Sequence, residues 1–257
     1  MGVFFMPKQQ KRIKGEFVHN QIPCGKLHNS YLFRKSKVGW FLRKPNWQNI
    51  QLQPFEKNIY EEHPATASRS MTEVEAYRNS NGVRVKGGDV PKPILAFEES
   101  SFPDFVVRGI DALRNCTSPT SIEANCWPVA LSCRNFLGIV EVGLHKKLAY
   151  VLPAVIQVRQ QPARQRLEGL IAVLLAPTHE LAKRIHVVAS ELGEHAATRS
   201  VCAMNGERKK VKYAEHRGGC DILMAMPRCL IEFFEEGVVN LHRCTYLVFD
   251  EVDRMLL

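Results

Sequence analysis

The clearest chemical signal is a cluster of acidic residues near the end of the sequence. The apolar run Leu247–Phe249 is followed directly by Asp250 and Glu251, and Asp253 comes shortly after them. A carboxylate just past a buried strand can hold Mg²⁺ through water, and a neighbouring acid can orient a water for hydrolysis. The pattern therefore indicates a Walker B arrangement, in which Asp250 faces the magnesium and Glu251 faces the water.

A second candidate loop follows the apolar run Phe136–Val140. Gly143 and Lys146 occupy two positions of the Walker A phosphate-binding pattern, and the other positions of that pattern differ. Lys146 could pair with phosphate oxygens, and Gly143 with the following helix N-terminus offers a place for an anion. Lys146 and Lys147 are also typical of a solvated helix start, so this loop alone predicts no nucleotide.

Alternating strand and helix patterns supply the frame for these loops. From about Phe97 the apolar runs are near-continuous, as in strands buried on both faces of a parallel sheet, and amphipathic stretches separate them. Ligands bind such α/β sheets at the carboxyl ends of the strands. The strands are predicted at Phe136–Val140, Gly169–Ala176, Ser200–Ala203, Asp221–Ala225 and Thr245–Phe249. The helices are predicted at Lys147–Arg159, Glu180–Leu192, Arg208–Arg217 and Cys229–Glu236.

The charge divides the chain into a basic beginning and a neutral body. Residues 1–50 contain ten basic residues and one acidic residue, which accounts for the whole formal charge of +9. We interpret residues 1–50 as a disordered tail that attracts a polyanion such as nucleic acid, although a merely solvated leader fits the same pattern. Residues 51–96 are interpreted as a connector with a helix at Met71–Arg78 capped by Thr72, and residues 97–257 as the α/β lobe.

Composition argues against several classes of protein. The eight cysteines form no Cys-x-x-Cys pair, so neither a zinc site nor a disulfide framework is expected. No apolar run is long enough to span a membrane, and the first residues do not resemble a secretory signal. These features favour reduced thiols and a location in the nucleus or the cytoplasm.

The order of short motifs along the chain is the most specific signal. Phe102 lies upstream of Ser118–Glu123, and the sequence Ala176-Pro177-Thr178-His179-Glu180-Leu181-Ala182 follows later. Asn205-Gly206, Met226-Pro227-Arg228-Cys229 and Asp250-Glu251-Val252-Asp253 come next, in that order. Over residues 45–257 the chain resembles the DEAD-box RNA helicase family, and most closely its p68-like branch.

The resemblance implies a fold, two ligands and a role for each motif. The fold would be a RecA-like lobe of the P-loop NTPase class, and the ligands would be ATP with Mg²⁺ and single-stranded RNA held by its backbone. The catalytic residues would be Asp250, Glu251 and Asp253, with Asp250 holding Mg²⁺ through water. The ATP-binding residues would be Phe102, Glu123, Gly143, Lys146 and Lys147. The RNA-binding residues would be Pro177, Thr178, Glu180, Gly206, Pro227 and Arg228.

Several positions depart from the family pattern in ways that weaken nucleotide binding. Glu123 replaces a glutamine that reads adenine, and an ionised carboxylate accepts hydrogen bonds but cannot donate one. His145 replaces a glycine whose lack of a Cβ lets backbone N–H groups approach phosphate. Lys147 replaces a hydroxyl that ligates Mg²⁺, which a protonated amine cannot do. We therefore expect a helicase-like lobe with impaired ATP binding and hydrolysis.

Two other interpretations remain open from the sequence. The chain could be a non-enzymatic module that binds RNA or other proteins, or a truncated gene copy without function. The resemblance implies a further strand with a Ser-Ala-Thr motif, and a second lobe with an arginine finger, beyond Leu257. A lobe that lacks this strand is expected to expose an apolar sheet edge, and autonomous helicase activity is not expected.

Overall fold

The computed structural model describes residues 2–7, 58–113, 118–140, 144–162, 169–203 and 219–256, with some positions between 39 and 56. Most of the basic segment, the loop with Gly143, the turn with Gly206 and the helix predicted at Arg208–Arg217 lie outside the described residues. The side chains of Leu144 and His145 also lie outside them.

A parallel β-sheet forms the centre of the molecule. In the described part of the chain its strands are β1 (Gly2–Pro7), β2 (Phe136–Val140), β3 (Ala172–Leu175), β4 (Ser200–Ala203), β5 (Ile222–Ala225) and β6 (Tyr246–Phe249). The strands lie in the order β2-β1-β6-β3-β5-β4, and every neighbouring pair is parallel. All carboxyl ends therefore meet at one edge of the sheet.

Helices connect the strands, as a parallel sheet requires. Two helices precede the lobe, α1 (Pro64–Ser68) and α2 (Met71–Ser80), and a 3₁₀ turn follows at Phe97–Ser100. The remaining helices in the described residues are α3 (Asp104–Leu113), α4 (Ser121–Leu131), α5 (Leu144–Gln160), α6 (His179–Ala196), α7 (Pro227–Glu235) and α8 (Val252–Leu256). No helix in this described part is long and apolar enough to cross a membrane.

Strands β3 and β5 are buried on both faces of the sheet, and alternate residues of each strand face opposite sides. On β3, Ala172 and Leu174 join the core cluster that includes α3 to α6, whereas Val173 and Leu175 join a second cluster with α7. Every residue of β3 and of β5 is buried. The near-continuous apolar runs of the sequence therefore follow from burial on both faces.

The predicted strands are confirmed, with shifts of a few residues at their ends. Phe136–Val140 and Ser200–Ala203 keep their predicted bounds, and the other three begin later than predicted. The predicted helices at Lys147–Arg159, Glu180–Leu192 and Cys229–Glu236 correspond to α5, α6 and α7. This part of the fold was predictable because each run carries a strong local pattern.

The structure differs most from the sequence-based expectation at the first residues. Gly2–Pro7, which is expected to belong to a disordered tail, forms β1 inside the sheet. Six residues carry no periodicity that separates a strand from a loop, and the pairing partners of β1 are far away in the sequence. Strand β6 is paired on both sides, with β1 and with β3, whereas β2 at the edge of the described sheet exposes the apolar side chains of Leu137 and Ile139.

Two smaller corrections concern helices. The N-cap of α2 is Ser70 rather than Thr72, because the Ser70 side chain accepts a hydrogen bond from the backbone N–H of Glu73. The Glu73 carboxylate accepts one from the Ser70 N–H in return, which completes a capping box. Helices α3 and α4 were not predicted. Helix α4 is buried over most of its surface and therefore has no polar stripe that would reveal its period.

Candidate functional site

The predicted site residues follow four strands that end at the same edge of the sheet. Strand β2 leads to Lys146 and Lys147, and β6 leads to Asp250 and Glu251. Strands β3 and β5 lead to the segments at Thr178 and Pro227, which begin α6 and α7. The parallel sheet therefore brings the two lysines, the two acids and the described residues of the predicted RNA contacts to one edge, whereas Phe102 and Glu123 precede β2 in the chain.

Asp250 is the centre of a buried ion pair. Its carboxylate Oδ1 lies 2.5 Å from the Lys146 Nζ, and both side chains are almost fully buried. Its Oδ2 accepts a hydrogen bond of 2.9 Å from the Tyr150 hydroxyl. Its backbone N–H donates to the Leu175 carbonyl at the end of β3, which fixes the start of the loop. The structure therefore joins Lys146, which is predicted to bind phosphate, to Asp250, which is predicted to hold Mg²⁺ through water, and adds Tyr150 to them.

Two buried tyrosines stiffen this arrangement. The Tyr246 hydroxyl donates a hydrogen bond of 3.0 Å to the Tyr150 carbonyl, so β6 and α5 are tied together. Burial raises the pKa of the Tyr150 hydroxyl well above its ordinary range, and the nearby Asp250 carboxylate raises it further. Tyr150 therefore stays protonated at neutral pH and remains a hydrogen-bond donor to Asp250.

Lys147 is half-buried beside the same acids. Burial lowers the pKa of its ammonium group, the Asp250 and Glu251 carboxylates act in the opposite direction, and Arg184 and Lys146 add to the lowering. Lys146 thus contacts Asp250 directly, and Lys147 follows it in the first turn of α5.

Glu251 adopts an unusual backbone conformation and has its own partner. Its φ of 52° lies in the left-handed region, which costs a residue with a side chain about 1–2 kcal/mol. Its carboxylate Oε2 lies 2.5 Å from a guanidinium nitrogen of Arg254, one turn later on α8. Asp253 lies between them on α8, and its Oδ1 is buried without a hydrogen-bond partner among the described residues.

The described residues do not fit a magnesium ion in this arrangement. One oxygen of Asp250 is engaged by an ammonium group and the other by a hydroxyl donor, so neither faces a cation or its water. Lys147 stands where the family has a metal-ligating hydroxyl, and it brings a positive charge instead.

The predicted adenine-reading residues are engaged with neighbouring structure. Glu123 is fully buried, and its Oε2 accepts a hydrogen bond of 2.9 Å from the backbone N–H of Thr120. It therefore serves as a capping residue at the start of α4. Phe102 is half-buried and packs edge-on against the buried ring of Trp127, with ring centroids 5.2 Å apart. This contact supports packing as one role of Phe102 and leaves stacking on adenine a prediction.

The predicted RNA-facing residues are more exposed and make local contacts. Thr178 caps α6, where its Oγ1 accepts a hydrogen bond from the backbone N–H of Leu181. Glu180 is exposed on the first turn of α6 and pairs with Arg184. At the start of α7, Pro227 occupies the first turn and Arg228 pairs with Glu232. Gly206, the remaining predicted RNA contact, lies outside the described residues, as does Gly143.

Sequence reasoning missed three residues of the site, although two of them carry a local signal. Tyr150 follows Lys146 by four positions, so it lies one turn along the same face of α5. Arg254 follows Glu251 by three positions and lies on the same face of α8. Trp127 carries no comparable signal, because its contact with Phe102 joins residues from α4 and from the segment before α3.

Together, the parallel sheet and the loops at its carboxyl edge define an α/β lobe of the RecA-like nucleotide-binding class. Residues 120–257 match the family model described as DEAD/DEAH box helicase. This match covers more than half of the chain, and the chain belongs to that family. The fold and the resemblance predicted from the sequence are thereby confirmed.

Curated relatives and a solved structure agree with this assignment. The chain is 45% identical over 205 residues to the ATP-dependent RNA helicase p62 of Drosophila melanogaster, which covers 80% of the chain and 28% of p62. It is 42% identical over 219 residues to the ATP-dependent RNA helicase DBP2 of Chaetomium thermophilum, covering 85% of the chain and 39% of DBP2. The chain thus spans less than half the length of these relatives.

The same fold occurs in the RNA helicase Prp28 from Chaetomium thermophilum, whose crystal structure contains ADP. The two structures share 25% sequence identity and superimpose with a TM-score of 0.66, over 79% of this chain and 48% of Prp28. This similarity confirms the RecA-like lobe and is consistent with the order of motifs along the chain.

Proposed function

We propose that this chain is the RNA-contacting lobe of a DEAD-box helicase whose ATP binding and hydrolysis are impaired. The observation that carries the proposal is the buried ion pair between Lys146 and Asp250, with Tyr150 on the second carboxylate oxygen. The nucleotide would be ATP, and the RNA would be single-stranded and held by its backbone. A protein partner is a further proposal, as is a location in the nucleus or the cytoplasm.

The ion pair opposes nucleotide binding because Lys146 must leave Asp250 in order to reach a phosphate. Breaking a buried pair exposes the remaining charge to an apolar environment, and such losses are about 3–5 kcal/mol. A metal ion at Asp250 would offset this loss, but Lys147 replaces the hydroxyl that would help to hold it. ATP binding is therefore weakened by the free energy that is needed to open the pair.

The adenine end of the site adds a second penalty. Glu123 has no donor to offer to a ring nitrogen, and its Oε2 already caps α4. To read adenine, Glu123 would have to give up its hydrogen bond with Thr120 at the start of that helix. Stacking on Phe102 would leave base recognition to a single aromatic contact, so discrimination between ATP and other nucleotides is expected to be weak.

The RNA-facing loops carry no comparable obstacle. The predicted contacts at Thr178, Glu180, Pro227 and Arg228 lie half-buried or exposed at the same edge as the nucleotide loops. The N-terminus of α6 presents backbone N–H groups, which favour phosphate oxygens. The relatives p62 and DBP2 are named RNA helicases. We propose that the chain retains RNA binding even where nucleotide binding is lost.

The experiment that tests this proposal is a nucleotide titration with a repaired control. A fluorescent ATP analogue with Mg²⁺ is titrated into the purified chain and into the double variant His145→Gly with Lys147→Thr. We expect the repaired variant to bind at least about tenfold more tightly, since even one restored ligand interaction is worth about 1.4 kcal/mol. RNA binding by both proteins, measured by fluorescence anisotropy with a labelled single strand, should be similar.

The outcomes separate the alternatives. Equal micromolar binding of the nucleotide by both proteins would contradict the impairment, and RNA-stimulated phosphate release by the unaltered chain would contradict it as well. If neither protein binds RNA and only the repaired variant binds the nucleotide, the unaltered chain binds neither of its two proposed ligands. That result would favour a module that binds other proteins.

A further inference from the structure

The first turn of α5 carries two adjacent lysines, and each has a different relation to the acidic loop after β6. The Nζ of Lys146 lies 2.5 Å from Asp250 Oδ1, and its side chain is almost fully buried. Lys147 is the next residue of the helix and is half-buried. Among the residues that the structure describes, Lys147 has no ion-pair partner. One ammonium group is therefore engaged by the acidic loop, and the other remains for a ligand.

The formal charges of the start of α5 and of the segment after β6 cancel one another. Three carboxylates and three cationic groups belong to these two segments: Asp250, Glu251, Asp253, Lys146, Lys147 and Arg254. A hydroxyl residue at position 147 would leave the carboxylates in excess, and an excess of negative charge is what attracts a divalent cation. The ammonium group of Lys147 removes that excess.

These groups do not suit a magnesium ion. Mg²⁺ requires oxygen ligands in near-octahedral geometry, and a protonated amine has no lone pair to offer to it. Asp250 presents one oxygen to Lys146 and the other to the Tyr150 hydroxyl. Lys147 replaces a ligand with a positive charge, and like charges repel strongly where water is partly excluded. The misfit therefore has two causes, a missing ligand and an added cation.

We propose that the two lysines of α5 take the place of the divalent cation, so that this site binds the polyphosphate of a nucleotide as the metal-free anion. The inference rests on the proposed nucleotide role of the site and specifies the form in which the ligand is bound. Lys146 neutralises Asp250, and Lys147 supplies a positive charge for phosphate oxygens. A metal-free triphosphate is more negative than its magnesium complex, so a site whose cations are side chains attracts it more strongly.

Nucleotide titrations with and without the metal test this proposal. A fluorescent ATP analogue is titrated into the unaltered chain in a buffer with Mg²⁺ and in a buffer with EDTA, at equal ionic strength. We expect removal of the metal to strengthen binding at least about tenfold, which corresponds to about 1.4 kcal/mol. In Lys147→Thr we expect the opposite order, because this variant regains the hydroxyl ligand and the excess of negative charge. The matched control Lys86→Thr makes the same change at an exposed position before the lobe and should behave as the unaltered chain.

Three results of these titrations would overturn the proposal. The first is binding by the unaltered chain only when Mg²⁺ is present, and the second is no binding in either buffer. The third is an equal preference of Lys147→Thr for the metal-free analogue, which would remove the role given to Lys147. The second and third results leave the proposed impairment with Mg²⁺ intact, so the two proposals can fail separately.

A second measurement needs no nucleotide. The thermal unfolding midpoint of the chain is measured with MgCl₂ and with NaCl at the same ionic strength, and we expect equal midpoints because Asp250 already has its cation. In Lys146→Gln the Asp250 carboxylate loses that cation, and we expect Mg²⁺ to raise the midpoint above the value in NaCl. A rise in the unaltered chain, or no rise in Lys146→Gln, would contradict the exchange of lysine for metal. If Lys146→Gln does not fold, the titrations with Lys147→Thr still decide the question.

Discussion

The edge at which the parallel strands end has two parts, a proposed nucleotide half around Asp250 and a proposed RNA half at the start of α6 and α7. The two halves are built in opposite ways. In the nucleotide half, Lys146 and Tyr150 reach Asp250 across the fold, and all three side chains are buried. In the RNA half, Glu180 pairs with Arg184 one turn away on the same helix, and both side chains are mostly exposed. One half is held by distant, buried contacts, and the other by local contacts in water.

This difference determines how each half can meet a ligand. Exposed pairs within a helix are worth about 0.3–0.5 kcal/mol, so phosphate oxygens can displace them with little loss. A buried pair is costly to break because each partner has lost its water. The exposed pairs of the proposed RNA half therefore oppose a ligand little, whereas the buried ion pair of the proposed nucleotide half opposes one strongly. A helicase lobe with this balance would contact RNA more readily than ATP.

The largest expected effect comes from removing the charge at the centre of the nucleotide half. Asp250→Asn removes the negative charge that lies 2.5 Å from the buried Lys146 ammonium, and we expect the free energy of unfolding to fall by about 3–5 kcal/mol. Urea unfolding followed by tryptophan fluorescence measures this change, because Trp127 is buried in the same core. The matched surface variant Glu180→Gln should change stability by less than about 0.5 kcal/mol. Equal effects of the two variants would abolish the distinction between the halves.

The same contrast explains what the sequence could predict. The local parts of the site were predictable, because the acids after β6 and the lysines in the first turn of α5 each lie next to a strand or at the start of a helix. The long-range contacts were not, because nothing in the sequence states that Tyr150 faces Asp250. β1 was missed for the same reason, since its identity as a strand lies in its partners β2 and β6. Glu123 is predicted to read adenine, whereas in the fold it caps a helix, although the spacing from Thr120 to Glu123 is itself the sequence signature of a capping box.

A smaller effect should follow from removing the hydroxyl that supports the ion pair. Tyr150→Phe leaves Asp250 Oδ2 without its donor, and an unsatisfied buried acceptor costs about 1–3 kcal/mol. Urea unfolding at neutral pH measures this loss, with Tyr77→Phe as a half-buried control. An effect as small as that of the control would show that Tyr150 does not support Asp250 in solution.

Tyr150 also predicts how stability depends on pH. The pKa of its hydroxyl is raised in the folded state above the ordinary value of 10.0, so the unfolded chain releases this proton first. The stabilisation from the protonated hydroxyl is complete below pH 10 and is lost as the pH rises towards the folded pKa. We expect stability to fall above pH 10, and to fall less steeply in Tyr150→Phe. An identical slope in both proteins would contradict the pKa shift.

The smallest effect on stability, and the one that sharpens the contrast most, is expected at Arg228. This residue is exposed and pairs only with Glu232 in the described residues, so Arg228→Gln should change the unfolding free energy by less than about 0.5 kcal/mol. If Arg228 contacts an RNA phosphate, the same change lowers RNA affinity and reduces the slope of log K against log salt by about 1. Anisotropy titrations at several salt concentrations measure both quantities. An unchanged slope would show that Arg228 does not contact RNA. A smaller slope with unchanged stability would show that Arg228 binds RNA phosphate and contributes little to the stability of the fold.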